Sequence, residues 1–209
     1  MTQALDDALI YVVDDDAALR RSLVFLLESV GWRVEAHASA EEFLAAYRPG
    51  LPGCLVLDIR MPSMSGLELQ HALKARGFEP PVIFITGHGD VSLAVQAMKQ
   101  GACDFIEKPF RDQALLDAVA RAVREGREAL AEARRQGDAQ AALARLSPRE
   151  LDVARLVARG LPNKLVGREL NISEKTVHIH RQHVMEKAGV GSAAELARLM
   201  LQADPASLG

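Results

Sequence analysis

Four short apolar runs each end in a residue that phosphoryl chemistry can use. Ile10-Tyr11-Val12-Val13 runs into Asp14-Asp15-Asp16, and Leu55-Val56-Leu57 into Asp58. Val82-Ile83-Phe84-Ile85 runs into Thr86, and Asp104-Phe105-Ile106-Glu107 into Lys108-Pro109. Moving a phosphoryl group onto a carboxylate requires an ionised Asp as nucleophile. It also requires a divalent cation such as Mg²⁺, which takes one or two carboxylates and fills its shell with water and phosphate oxygens. A cation and a hydroxyl then hold the remaining phosphoryl oxygens. Asp58, Asp14 with Asp15, Lys108 and Thr86 make up that set. Each signal alone is ordinary. An Asp triplet after a strand usually caps a helix, as Asp16 is expected to do here. A Thr after a strand, or a Lys-Pro pair, is usually a turn. Their occurrence in order at four strand ends carries the reading.

The elements that must position these groups alternate through residues 1–124. Strands are expected at Leu9–Val13, Arg33–His37, Cys54–Asp58, Val82–Thr86 and Asp104–Ile106. Helices are expected at Ala17–Val30, Glu41–Ala46, Leu67–Arg76, Val91–Gln100 and Gln113–Arg124. Five βα units predict an α/β fold, a five-stranded parallel doubly wound sheet with helices on both faces. Sites on such sheets lie at the carboxyl ends of the strands. Residues 125–143, rich in Ala, Glu, Arg and Gln, read as a helical linker interrupted at Gly137. A dimeric coiled coil there would rest on Leu130 as its lone large apolar residue. Residues 144–209 read as a small all-α domain of four helices. Ser147-Pro148-Arg149-Glu150 is a capping box with Pro at the first helical position. A helix ends at Gly160, a second spans Pro162–Leu170, Ser173 caps a third through Lys187, and a fourth runs to about Leu201.

In that third helix Val177, Val184 and Met185 share a core side, while Lys175, His178, Ile179, Gln182 and Glu186 lie on the other. A short helix, a tight turn and a helix with a polar exposed face make a helix-turn-helix, whose second helix enters the DNA major groove. Charge is distributed to match. Residues 1–124 hold 12 Lys and Arg against 17 Asp and Glu, whereas residues 144–209 hold 10 against 7. The histidines at 178, 180 and 183 invite a metal reading, but no Cys or carboxylate completes the set, and an i, i+2 pair diverges on a helix.

Residues 9–124 resemble the receiver domain of two-component response regulators. LVLDIRMPSMSG from Leu55, ITGHGD from Ile85 and GACDFIEKPF from Gly101 carry the resemblance, which falls in the NarL/FixJ family close to its FixJ/StyR branch. It implies a flavodoxin-like receiver with Asp58 as phosphoacceptor. It implies Mg²⁺ held by Asp15, Asp58 and the backbone carbonyl of Arg60, with Asp14 acting through water, and Thr86 and Lys108 contacting the phosphoryl group. Phe105 stands where the family has its rotating switch aromatic, although plain core packing also accounts for it. Residues 146–201 resemble the LuxR-type output domain through LSPRE from Leu146, Asn163-Lys164, Asn171-Ile172-Ser173, Thr176-Val177, His180-Arg181 and Ala194-Glu195-Leu196. That resemblance implies base-edge contacts from His178, Ile179 and Gln182 and backbone contacts from Lys164, Thr176 and Arg181. Gly167 departs from the family's usual Ala, at an expected cost to its helix of up to about 1 kcal/mol. The implied partners are a sensor histidine kinase, double-stranded promoter DNA, RNA polymerase and a second copy of the chain upon phosphorylation. Arg60 and His88, two residues beyond Asp58 and Thr86, are expected to overhang the site and tune hydrolysis, or else to face solvent.

Other classes fit less well. A haloacid-dehalogenase-like phosphohydrolase needs a second Asp two residues after the nucleophile, where this chain has Arg60. An RNA-binding output is disfavoured because residues 146–209 contain no Phe, Tyr or Trp to stack on bases. Gly87-His88-Gly89 lacks the third glycine of a nucleotide loop, since Ser92 stands there. Cys54 and Cys103 flank apolar runs and read as buried free thiols, with a redox switch the lesser alternative. Met1 to Asp7 is polar and acidic, and no apolar run approaches the ~18 residues that span a bilayer. The expectation is a cytoplasmic protein without membrane contact, acting as a regulator and not as an enzyme.

Overall fold

The computed structural model describes residues 8–87 and 91–207. The chain divides into two compact units, 1–130 and 131–209.

The first unit holds five strands, β1 (Leu9–Val13), β2 (Arg33–His37), β3 (Gly53–Asp58), β4 (Val82–Thr86) and β5 (Asp104–Glu107), in the order β2-β1-β3-β4-β5, every pair parallel. Between them lie α1 (Ala17–Ser29), α2 (Ala40–Ala46), α3 (Gly66–Ala75) and α4 (Val91–Lys99), and α5 (Asp112–Leu143) follows β5. The three central strands are apolar without alternation because both faces are covered. Their side chains still divide with period two. Ile10, Val12, Cys54, Val56, Ile83 and Ile85 join Leu23 and Leu27 of α1 and Leu115 and Val119 of α5 in one core. Leu9, Tyr11, Val13, Leu55, Leu57, Val82 and Phe84 meet Phe43 of α2, Leu69 and Leu73 of α3 and Ala97 of α4 in the other. This is the doubly wound arrangement expected from the alternation of βα units.

Two expectations need correction here. Gly137 does not interrupt the helix: α5 runs unbroken for 32 residues, and the division between units falls inside it. One exposed helical glycine costs about 1 kcal/mol, too little to outweigh the strong helix formers around it. Cys54 is buried as expected, but Cys103 is only partly so.

The second unit folds α6 (Pro148–Ala158), α7 (Asn163–Leu170), α8 (Glu174–Ala188) and α9 (Ala193–Ala203) around Val153, Val157, Val166, Val177, Val184, Leu196 and Met200. Ser147 and Glu150 make the expected capping box, and Ser173 caps α8 through the Thr176 N–H. Asn171 takes the left-handed conformation that turns α7 into α8. Gly167 has a reason that the helix-propensity argument missed. A Cβ there would stand 2.8 Å from the Ile172 carbonyl oxygen. The missing side chain lets the turn close over α7, so the glycine makes the turn tight instead of loosening the helix.

Candidate functional site

The sheet topology brings the carboxylates together. β1 and β3 are neighbours with Val13 opposite Leu57, so Asp14 and Asp58 leave the sheet side by side. Both are buried, at 2% and 6% exposure, whereas Asp15 is exposed. From β5, two strands away, Lys108 reaches back over both. Its Nζ lies 2.5 Å from Asp58 Oδ1 and 3.0 Å from Asp14 Oδ2, and its backbone N–H donates to the Thr86 carbonyl at 2.7 Å. Thr86 is buried at the end of β4. The remaining carboxylate oxygens are also oriented. Asp58 Oδ2 accepts the Arg60 N–H at 2.7 Å, and Asp14 Oδ1 accepts the Asp16 N–H at 2.8 Å. Asp16 caps α1 by accepting from the Ala18 and Leu19 N–H groups, leaving Asp14 and Asp15 for the site.

Two buried acids share one partly buried amine, so two carboxylates converge on a single ammonium. Burial pushes the Asp58 carboxyl above its usual range. The Lys108 hydrogen bond and charge oppose this, and the neighbouring Asp14 adds to it. Burial lowers Lys108, but its hydrogen bonds to Asp58 and Asp14 outweigh that and hold it above the usual lysine range. Such a site favours arrival of a further cation. The donor chemistry fits Mg²⁺, a hard ion content with one or two carboxylates plus water. Asp58 and Asp14 converge on Lys108, while Asp15, next in the chain to Asp14, is exposed. Among the described residues no group of three or more His, Cys, Asp or Glu is placed to hold a metal ion.

Gly66 is a residue of the site that the reading of strand ends overlooked. A Cβ on it would stand 2.4 Å from the Asp58 carbonyl oxygen. It lets α3, capped by Ser65, start directly against the backbone of the reactive strand. A glycine just after an N-cap Ser was the available signal. Phe105 is partly buried, packed against the core that includes Phe84 and Ala97. Arg60 is exposed at the mouth of the site. His88 lies outside the described residues.

The second candidate surface is α8. Val177, Val184 and Ala188 are buried, and Met185 packs beside them. Lys175, His178, Ile179, Gln182 and Glu186 are all exposed. The Ile179 side chain, at 45% exposure, adds apolar surface to that otherwise polar face. Lys164 is exposed on α7, while Arg181 is half-buried and donates to Asn163 Oδ1 at 3.2 Å. That bond ties α8 to the start of α7. Thr176 pairs its hydroxyl with Ser173 at 2.7 Å. The helix-turn-helix is locked further by Glu150, buried at the start of α6. Its two carboxylate oxygens lie 2.8 and 2.7 Å from Lys187 Nζ near the end of α8.

Residues 10–120 match the family described as the response regulator receiver domain, and residues 144–200 match the bacterial regulatory proteins of the luxR family. The chain belongs to the two-component response regulators. This response regulator is 48% identical to nodulation protein W of Bradyrhizobium diazoefficiens, over 95% of the chain and 87% of that protein. It is 49% identical to the transcriptional regulatory protein FixJ of Azorhizobium caulinodans, over 93% and 92%. Among solved structures the response regulator StyR superposes with a TM-score of 0.83 at 44% identity, covering 92% of this chain and 98% of that one. A receiver paired with a LuxR-type helix-turn-helix makes the response regulator a transcription regulator and not an enzyme of the usual kind. Such a receiver implies a sensor kinase partner, and such an output domain implies DNA. No described helix is long and apolar enough to cross a membrane.

Proposed function

We propose that this response regulator receives a phosphoryl group on Asp58 from a sensor histidine kinase, and that phosphorylation pairs two chains on promoter DNA. The observation that carries the reading is Lys108 Nζ bridging Asp58 and Asp14 at the ends of three parallel strands. An Asp58 carboxylate oxygen attacks the phosphorus of a phosphohistidine. The P–N bond breaks, its electron pair returns to the imidazole nitrogen, and an acyl phosphate forms on Asp58. Bound Mg²⁺ would neutralise the phosphoryl oxygens, held by Asp15, Asp58 and the Arg60 carbonyl with Asp14 through water. Lys108 and the Thr86 hydroxyl, both beside the strand ends, take the other phosphoryl oxygens. Thr86 and Phe105 then act as the switch pair.

Residues 1–124 form the receiver in this reading, 125–143 the helical connection and 144–209 the output domain. The pairing surface is the α4–β5 face, where Val95 and Met98 are about half exposed. Pairing places two recognition helices on adjacent half-sites and gains affinity through effective concentration. On DNA, His178, Ile179 and Gln182 read base edges, while Lys164, Thr176 and Arg181 hold the phosphate backbone and RNA polymerase is the next partner. Gln pairs well with adenine, and phosphate contacts position the helix without selecting sequence.

The test is direct. Incubation with a small acyl phosphodonor and Mg²⁺ should add the mass of one phosphoryl group, absent in Asp58→Asn, and move the protein from monomer to dimer. A mass shift that persists in Asp58→Asn, or a phosphorylated protein that stays monomeric at micromolar concentration, would overturn the assignment or the pairing respectively.

A further inference from the structure

The face that α8 turns away from its core is polar except at one position. Lys175, His178, Gln182 and Glu186 are exposed there, and so is Ile179, at 45%. Among the described residues it is the one large apolar side chain of α8 that stands exposed, since Val177 and Val184 are buried and Met185 packs beside them. A single exposed isoleucine is ordinary surface, so its direction is what matters. The buried Val177, Val184 and Ala188 mark the core side of the helix. At about 100° per residue, Ile179 points about 160° away from their mean direction. Gln182 points about 140° away and His178 about 100°, so Ile179 stands nearer the centre of the presented face than either. Ile179 and Gln182 are about 4.5 Å apart along the helix axis, and bases stack about 3.4 Å apart, so the two side chains meet neighbouring base pairs.

We propose that Ile179 selects thymine by packing on its C5 methyl group, beside the base that Gln182 reads. The inference rests on the reading that α8 enters the major groove. On that groove edge guanine, cytosine and adenine show hydrogen-bond donors and acceptors, and thymine alone adds an apolar group, the methyl. Ile179 has no side-chain donor or acceptor to offer. Against guanine or cytosine it would take water from polar atoms and return no hydrogen bond, which weakens binding. Against a thymine methyl both partners withdraw apolar surface from water, which favours binding. Burying one such methyl corresponds to about a fourfold gain in affinity at each half-site. The same group on another base would be read in the same way, so 5-methylcytosine should pass in part for thymine at this position.

The probe is a duplex enriched from a random-sequence pool by the full chain after treatment with the small phosphodonor and Mg²⁺. Each thymine is then replaced in turn by deoxyuridine, which lacks the methyl and keeps every hydrogen-bonding group, and affinity is read by fluorescence anisotropy. One thymine in each half-site should stand out, its replacement weakening binding about fourfold. In Ile179→Ala the same replacement should have no effect, because side chain and methyl form one contact and removing either removes it. With cytosine–guanine at that pair, 5-methylation of the cytosine should tighten binding about fourfold in the wild type and leave Ile179→Ala unchanged. Ile179 is exposed, so these variants keep the fold, and Ile179→Val, which retains most of the apolar surface, should keep the methyl preference. A deoxyuridine effect of equal size in wild type and Ile179→Ala would assign it to DNA shape and overturn the proposal. So would an Ile179→Ala loss that is the same on thymine and deoxyuridine duplexes, which would put Ile179 against the sugar-phosphate backbone. If the pool yields no enriched duplex, base reading by α8 fails and the inference with it, whereas an enriched duplex indifferent to every thymine methyl overturns the inference alone.

Discussion

Each half of this response regulator sets buried acid against a lysine, Glu150 against Lys187 in one and Asp14 with Asp58 against Lys108 in the other, and Glu150 and Asp58 behave in opposite ways. Glu150 in the output domain is fully provided for. Lys187 reaches both of its oxygens, and the Ser147 N–H of the capping box donates as well. The Lys187 hydrogen bonds, aided by the Ser147 backbone, hold it down at about 2. Asp58 in the receiver is under-provided. It shares Lys108 with Asp14, and burial pushes it above the usual carboxylate range. A carboxylate that serves structure has its charge balanced where it stands. The one proposed to serve chemistry shares its lysine with a second acid, which leaves a place for the charge of an incoming group. The depth of burial, 4% exposure against 6%, does not separate the two; the number of acids per lysine does.

The comparison breaks most sharply under isosteric neutralisation. Asp58→Asn should lose all phosphoryl incorporation from a small donor while the protein keeps its cooperative melting. Glu150→Gln should incorporate normally and melt early. If Glu150→Gln lost phosphorylation, or Asp58→Asn unfolded the chain, the division into reactive and structural acids would be wrong. Next in size is Lys187→Met, which leaves Glu150 buried with only its cap. A hydrogen bond to a charged group contributes about 1.5–3 kcal/mol, and the half-exposed lysine places the expected loss toward the lower end. Scanning calorimetry should show that loss in the output-domain transition alone. The pH dependence has a definite sign. The Glu150 folded value lies below its unfolded one of 4.5, so its contribution is complete above that value and is lost as pH falls from there toward about 2. A melting temperature independent of pH across that window would remove Glu150 from the account.

DNA binding sharpens the same contrast between specific and general charge. Gln182→Ala should lose about 1–3 kcal/mol on the cognate site and little on unrelated DNA. Lys164→Ala should weaken both alike and lower the salt slope by about one unit. Equal losses for Gln182→Ala on cognate and random DNA, read by fluorescence anisotropy, would mean that α8 sits in the groove at another rotation.

What the sequence disclosed follows from the range of the forces involved. Strand ends were legible because a strand buried on both faces must be an apolar run, and the first polar residue after it must emerge at the sheet's edge. Asp14, Asp58, Thr86 and Lys108 were located that way. The Ser147 and Ser173 caps were legible because capping acts over three residues. Contacts between distant segments were not. Gly167 read as a weakness because helix propensity is local, whereas its reason is the Ile172 carbonyl 2.8 Å away. Gly66 was passed over for the same cause. Gly137 read as a break because a glycine also marks helix ends, and only the unbroken helical course through it decides between the two. Gln70 of α3 gave no signal at all, since the burial of its Oε1 without a hydrogen-bond partner among the described residues exists only once α3 is packed.

The smallest expected effect tests the idea of spare charge itself. Because burial raises Asp58 above its unfolded value, the fold holds its proton more tightly than the unfolded chain does. Asp58 therefore contributes most to receiver stability below its unfolded value, and that contribution is lost as pH rises through the folded one. Added Mg²⁺ should reverse this by supplying the charge that the single lysine cannot. At a concentration ten times its dissociation constant, a ligand that binds only the folded state stabilises it by about 1.4 kcal/mol. That gain should appear in the receiver transition and be absent from the output domain, whose buried acid is already balanced. It should shrink in Asp15→Asn and vanish in Asp58→Asn, and the Asp58 titration followed by NMR should move down as Mg²⁺ is added. If Mg²⁺ stabilised both transitions equally, the effect would be general screening, and the difference between the two acids would have no bearing on the metal.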